Sequence, residues 1–331
     1  MPWSFRRAAA AKASRHVRQD LVRQALFCRQ NDITTAAAEN VHFTTCVHRS
    51  NLFHHDSASG ASMKQQILDA IHAVHASVPL VHSITNFVVM QVSANALLAA
   101  HASPLMAHTA EEMDDLTNID SALVLNIGTL DPAWLDSMEL AGKLMKQKGK
   151  PVVLDPVGAG ASGLRTRASL RLLDMVRPDI LRGNASEIMA LAAEIRSADK
   201  ISTKGVDSLN SSDEALDSAR ALARRFRCVV SVSGEKDVVT DGENVLVVEG
   251  GSPLMPLVTG MGCSASAVTG AYAAACENRL VAAAAAMAVM ASAGEKAGRT
   301  AKGPGSFLPA FLDELYLLDP EDAAARVRIL K

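Results

Sequence analysis

From Pro79 onward, short apolar runs alternate with stretches long enough for several turns of helix, and few architectures accept that rhythm. The runs are Leu80–His82, Pro104–Met106, Ala122–Asn126, Pro151–Leu154, Ile180–Leu181, Val229–Val232, Val238–Thr240 and Val245–Val248. Between them lie helical patterns at Phe87–Ala100, Glu111–Ile119, Pro132–Lys148, Leu170–Val176, Ala185–Ile195, Ser212–Arg225 and Thr259–Glu277, with mostly helix to the end. Strands apolar along their whole length are buried on both faces, which requires a parallel sheet with helices on each side. The pattern predicts an α/β fold of three layers, α/β/α, around a central, mostly parallel sheet.

Such sheets bind ligands beyond the carboxyl ends of their strands. Polar or glycine-rich loops follow five of the runs: Ser83-Ile-Thr-Asn86, Asn126-Ile-Gly-Thr129, Asp155-Pro-Val-Gly-Ala-Gly160, Arg182-Gly-Asn-Ala-Ser-Glu187 and Ser233-Gly-Glu235. Each has a plain alternative, because Asn184 or Asp155 can cap a helix and Glu187 suits a helix N-terminus. One cleft would nonetheless collect all five.

The stretch Val258-Thr-Gly-Met-Gly-Cys263 runs into an Ala-rich segment without proline, reading as a tight loop that opens a helix. Gly260 and Gly262 lack a Cβ, so a ligand can approach their N–H groups, and a helix N-terminus attracts anions. Cys263 falls in the first turn, where a thiolate is favoured. The alternative is a packed connection with a buried, inert cysteine.

The chain has 331 residues, 49% of them hydrophobic, enough to bury one or two substantial cores. A formal net charge of -2 gives no electrostatic argument for nucleic-acid or anionic-membrane partners, and none is expected. Five scattered cysteines, without zinc-type spacing, indicate a reducing compartment, and the expected location is the cytoplasm. The Ala-dominated run Leu280 to Gly294 is shorter than a membrane span and reads as a buried helix.

Residues 1–62 are basic, rich in Ala and Ser and poor in acids, the composition of a transit peptide, a flexible tail or sequence upstream of the working start. Met63 opens a helical pattern with Ile67, Leu68, Ile71 and Val74 on one face. The expected division is therefore an extension over 1–62, without a catalytic role, and a single domain over 63–331.

These motifs, in this order, together with Ala102-Ser-Pro-Leu-Met106 and Lys302-Gly-Pro-Gly-Ser306, resemble the hydroxyethylthiazole kinases of thiamine salvage, members of the ribokinase-like superfamily. The resemblance covers about 63 to 320 and implies ATP-dependent phosphorylation of the hydroxyl of 4-methyl-5-(2-hydroxyethyl)thiazole. It places Met106, Gly260 and Asn86 on the thiazole, and Arg182, Ser233 and Asn184 on ATP. It places Asp155 and Glu187 on Mg²⁺ and makes Cys263 the base, with Gly260 and Gly262 supplying N–H groups to the transition state. Asn126 is a further lining residue. The family is similar to trimers with active sites between subunits, so a homotrimer is expected. Met261 departs from the small residue more usual between the two glycines and bears on pocket width. The competing readings are a kinase of another small alcohol, of the pyrimidine or pyridoxal type, an ATP- or ADP-dependent NAD(P)H-hydrate dehydratase, and a silent ATP-binding protein.

Overall fold

A computed structural model of the chain describes residues 59–198 and 211–330. The extension, apart from its last four residues, lies outside them. The first helix, α1, is Ser59–Ser77, and so begins four residues before Met63. It is followed by β1 (Leu80–Ile84), α2 (Met90–Ala99), β2 (Ser103–Leu105), α3 (Met113–Ile119), β3 (Ala122–Asn126), α4 (Pro132–Gln147) and β4 (Val152–Asp155). Next come α5 (Gly163–Met175), β5 (Ile180–Asn184), α6 (Ala185–Ala198), α7 (Ser211–Phe226), β6 (Val229–Ser233), β7 (Lys236–Thr240) and β8 (Val245–Glu249). The chain ends with α8 (Met261–Ala275), α9 (Arg279–Thr300), α10 (Pro304–Tyr316), α11 (Pro320–Ala324) and β9 (Val327–Ile329).

Among the described residues, nine strands form one sheet in the order β2-β1-β3-β4-β5-β6-β7-β8-β9. The pairs from β2 through β6 are parallel, while β7, β8 and β9 add on antiparallel. Side chains alternate between two apolar layers. Val81, Val124, Val153 and Ile180 face a core shared with α1, α2, α8, α9 and α10. Leu123, Leu125, Val152, Leu154 and Leu181 face one shared with α3 to α7. Each such side chain, fully buried, contributes about 1.5–3 kcal/mol, which fixes strand register because a one-residue slip would exchange the faces. The three layers expected from the sequence are all present.

Helix α9 is long and apolar enough to cross a membrane by composition, but most of its length is buried within the protein. Its alanines let α8 and α10 pack closely, so this apolar surface is core.

Three local expectations change. Helix α5 starts at Gly163 instead of Leu170, because Ser162 caps it by accepting the Arg165 N–H at 3.3 Å. Strand β5 runs on to Asn184, so Arg182 lies inside the strand and not in the loop after it. The C-terminal region contains β9, whose three residues are too few to show a period.

Candidate active site

Five of the parallel strands end, or nearly end, on a polar side chain, and the sheet order makes them neighbours. Met106 follows β2, Asn86 follows β1, and Asn126, Asp155 and Ser233 end β3, β4 and β6, while β5 carries Arg182 and Asn184. Between β1 and β4 these side chains are bonded in a row. Asn86 Nδ2 donates to Asn126 Oδ1 at 2.8 Å, and Asn126 Nδ2 donates to Asp155 Oδ2 at 2.8 Å. Helix α8 closes the row from above. Its Ser266 hydroxyl donates to Asp155 Oδ2 at 2.6 Å, and Cys263 Sγ accepts from Asn86 Nδ2 at 3.5 Å. Asn86, Asn126, Asp155 and Ser266 are all buried, and Cys263 is partly exposed.

Gly260 begins α8 in the left-handed region, with φ 94°. A Cβ there would meet Val92 Cγ1 of α2 at 2.6 Å. The glycine is thus required by backbone conformation and by contact with α2, more than by a ligand's approach as the sequence suggested. A Cβ on Gly262 would lie 3.2 Å from Arg182 Nη1, so that position too is occupied by the protein itself. The first intrahelical bond runs from Ser264 N to Gly260 O at 2.8 Å. The N–H groups of residues 261–263 precede it and have no partner within the helix, which leaves an anion-seeking first turn. Met261 is buried in the apolar layer beside α8, so its side chain belongs to the core.

Arg182 is buried beneath that turn, and its Nη1 donates to Gly262 O at 2.8 Å. Its Nε is buried with no hydrogen-bond partner. Asn184 and Glu187 cap α6 reciprocally. Glu187 N donates to Asn184 Oδ1 at 2.9 Å, and Asn184 N donates to Glu187 Oε2 at 2.9 Å. Glu187 Oε1 accepts from Gly158 N at 2.8 Å, which ties the loop after β4 to that of β5. The capping alternative is therefore true of both residues, and it holds them at the edge of the cleft. Ser233 stands one strand beyond, its hydroxyl donating to Gly183 O at 3.4 Å. It opens on a cleft of about 540 Å³ shared with Ala185, Leu216, Val238 and Leu330. Met106 stands at the opposite end, packed against the α1 and α8 layer.

Burial dominates the electrostatics. Desolvation pushes the Asp155 carboxyl up to about 6, with nearby Glu187 adding to the rise, while Arg182 and the bonds from Ser266 and Asn126 oppose it. The Cys263 thiol is pushed up to about 11, first by burial and then by Asp155, against the bonds from Asn126 and Asn86 and the charge of Arg182. The thiol is therefore the resting form, because loss of water and the neighbouring carboxylate outweigh the pull of the helix N-terminus towards thiolate.

Two residues of this site escaped the sequence. Ser266 stands three positions after Cys263, one helical turn on, and that spacing was the signal for it. Arg165 donates through Nη1 to the carbonyls of Ile127 and Val157 at 3.0 and 2.7 Å and through Nη2 to that of Gly128 at 2.6 Å. It clamps together the loops that follow β3 and β4, and no local pattern distinguishes it from the neighbouring Arg167.

The family model described as the hydroxyethylthiazole kinase family matches residues 71–321. A hydroxyethylthiazole kinase from Nitratidesulfovibrio vulgaris is 56% identical over 259 residues, 78% of this chain and 95% of that protein. The solved hydroxyethylthiazole kinase from Pyrococcus horikoshii OT3 superposes with a TM-score of 0.74 at 41% identity, covering 81% of this chain and 100% of its own. A pyridoxal kinase from Staphylococcus aureus, at 17% identity and TM-score 0.51 over 66% of this chain and 89% of its own, shares the fold alone. With a family model spanning most of the described fold and relatives above half identity, the chain belongs to the hydroxyethylthiazole kinase family.

Proposed function

We propose that the bonded row Asn86–Asn126–Asp155, closed by the first turn of α8, is the phosphoryl-transfer centre of this hydroxyethylthiazole kinase. The enzyme transfers phosphate from ATP to the hydroxyl of its thiazole substrate. The observation that carries the placement is the meeting of three features at the carboxyl ends of adjacent strands: an unsatisfied helix turn, a buried arginine with an unpartnered Nε, and a carboxylate held by two neutral donors.

Phosphoryl transfer asks a protein to align the reactants and to stabilise charge spreading over the phosphate oxygens. The N–H groups of residues 261–263 supply fixed donors for that charge, set at this angle by Gly260 and Gly262. Arg182 adds a permanent cation, with Asn184 and Ser233 further along the ATP. Met106 offers a polarizable thioether to the sulfur-containing ring, and Asn86 and the Gly260 turn bound the same end. Cys263 lies against the hydroxyl. At neutral pH about one thiol in 10⁴ is ionised at the value that burial imposes, so the resting thiol orients the alcohol and the thiolate is the minor, proton-accepting form.

Asp155 and Glu187 fit Mg²⁺. Among the described residues no cluster of three or more His, Cys, Asp or Glu could enclose a metal. Two carboxylates at one cleft, with the remaining positions left to water and phosphate oxygens, is the pattern that magnesium favours. Bound there, it would neutralise charge on the phosphates.

Residues 63–331 suffice for this chemistry in the proposal, with the extension uninvolved and the cytoplasm as the location. A homotrimer is supported by the two residues directly after Asn86: Phe87 and Val88 are 62% and 65% exposed, an apolar surface beside the site. The test is ADP release by the chain from Met63 with MgATP, with and without hydroxyethylthiazole. Thiazole-dependent release, with product mass raised by one phosphate, supports the reading. Release stimulated by hydrated nicotinamide cofactor instead would replace it with the dehydratase.

A further inference from the structure

His82 directly precedes the Ser83-Ile-Thr-Asn86 loop, yet the site described above makes no use of it. Its side chain is fully buried in β1. Nδ1 lies 2.8 Å from Asp120 Oδ2, itself buried, and Nε2 lies 3.0 Å from the backbone carbonyl of Ala107. A peptide carbonyl only accepts, so Nε2 carries the proton of that bond, while the carboxylate faces Nδ1.

The link is made to an informative place. Strand β2 has only three residues and only β1 as neighbour, and the paired ladder ends at His82↔Leu105. Beyond it the chain leaves the sheet through Met106 and Ala107. At the far end of this segment, the His108 ring packs on Trp134, with centroids 4.5 Å apart. We infer that His82, oriented by Asp120, is a positioning residue for the hydroxyethylthiazole pocket: its Nε2–H latches the Ala107 carbonyl and so sets where Met106 stands. The inference rests on the reading of Met106 as a contact of the thiazole ring. Lys150, bonded to the carbonyls of Thr117 and Asn118, steadies the helix end that leads into Asp120.

Two amide replacements divide the ring's two bonds. His82→Asn places an amide near the Nδ1 position, keeping Asp120 bonded, but cannot reach Ala107. His82→Gln reaches Ala107 but leaves Asp120 without its partner. In His82→Asn the KM for hydroxyethylthiazole rises about tenfold, the size of one lost hydrogen bond, while the KM for ATP and the kcat stay within about twofold. In His82→Gln the thiazole KM stays near the native value and the Tm falls. A folded His82→Asn enzyme with an unmoved thiazole KM overturns the latch. The unmodified protein gives an independent reading: ¹⁵N-histidine spectra must show a protonated Nε2, and an unprotonated one overturns the latch even if neither variant folds. Met106→Ala separates the two readings. A thiazole KM that moves in His82→Asn but not in Met106→Ala removes the thioether contact and with it the route through Met106, whereas one that moves in Met106→Ala but not in His82→Asn keeps the contact and removes the latch.

Discussion

Asn184 and Glu187 hold each other's backbone N–H, both at 2.9 Å, and the second Glu187 oxygen takes the N–H of Gly158 from the neighbouring loop. One carboxylate therefore starts a helix and joins two strand ends. Glu187→Gln can satisfy only one of those N–H groups with its single carbonyl oxygen. The variant loses about 1 kcal/mol of stability, as for a removed cap, and needs a higher magnesium concentration for half-maximal rate. Urea unfolding together with a magnesium titration measures both effects, and unchanged stability would mean that the reciprocal cap carries no weight.

Asp155 gives folding a pH dependence of unusual sign. Its folded value, about 6, lies above the ordinary 3.8, so the folded state holds the proton more tightly than the unfolded chain does. Its contribution to stability is greatest below about pH 4, declines as pH rises through about 6, and is level above that. The full span is about 3 kcal/mol. Asp155→Asn removes this slope, making the protein more stable than the native one at pH 7.5 while abolishing activity. Equal pH profiles for the two proteins between pH 4 and 6.5 would refute the burial argument.

For Cys263, the raised thiol value predicts a rate that climbs with alkalinity. If the thiolate accepts the alcohol proton, kcat increases between pH 7 and 9.5 by close to tenfold per unit, because the value near 11 lies above that window. Cys263→Ala has a low kcat without that slope and a near-native KM for ATP. A native profile flat across the same range removes Cys263 from the base role and leaves it as an orienting group.

Arg182→Ala removes the cation below the α8 turn and raises the KM for ATP by about a hundredfold, on the scale of charge-assisted hydrogen bonds to phosphate. Arg182→Lys recovers little, because an ammonium cannot hold the Gly262 carbonyl and a phosphate in the same plane. Isothermal titration with a non-hydrolysable ATP analogue reads this directly, and native affinity in Arg182→Ala would displace the arginine from the nucleotide site.

Arg165 commits its guanidinium to three loop carbonyls, and its removal is felt through position. Arg165→Ala frees the carbonyls of Ile127, Gly128 and Val157, costing about 2 kcal/mol of stability. It lowers kcat through the loosened Asn126 and Asp155. A variant with native stability and native kcat would show that the two loops hold their places unaided.

The alternation of apolar strands and helices by itself determined the three-layer architecture, because burial on both faces of a strand leaves a covered parallel sheet as the solution. It also placed Asn86, Asn126, Asp155 and Ser233 at strand ends, where that architecture binds ligands. What it could not contain were contacts between residues distant in the chain. Ser266 meets Asp155 across 111 positions, and Arg182 meets Gly262 across 80. The charge state of Cys263 was left open by the sequence for the same reason: the helix turn is visible locally, whereas the burial and the carboxylate that outweigh it arrive only when β4 and α8 pack together. Local sequence sets which backbone each segment prefers, but desolvation and the partners of a buried charge belong to the assembled fold.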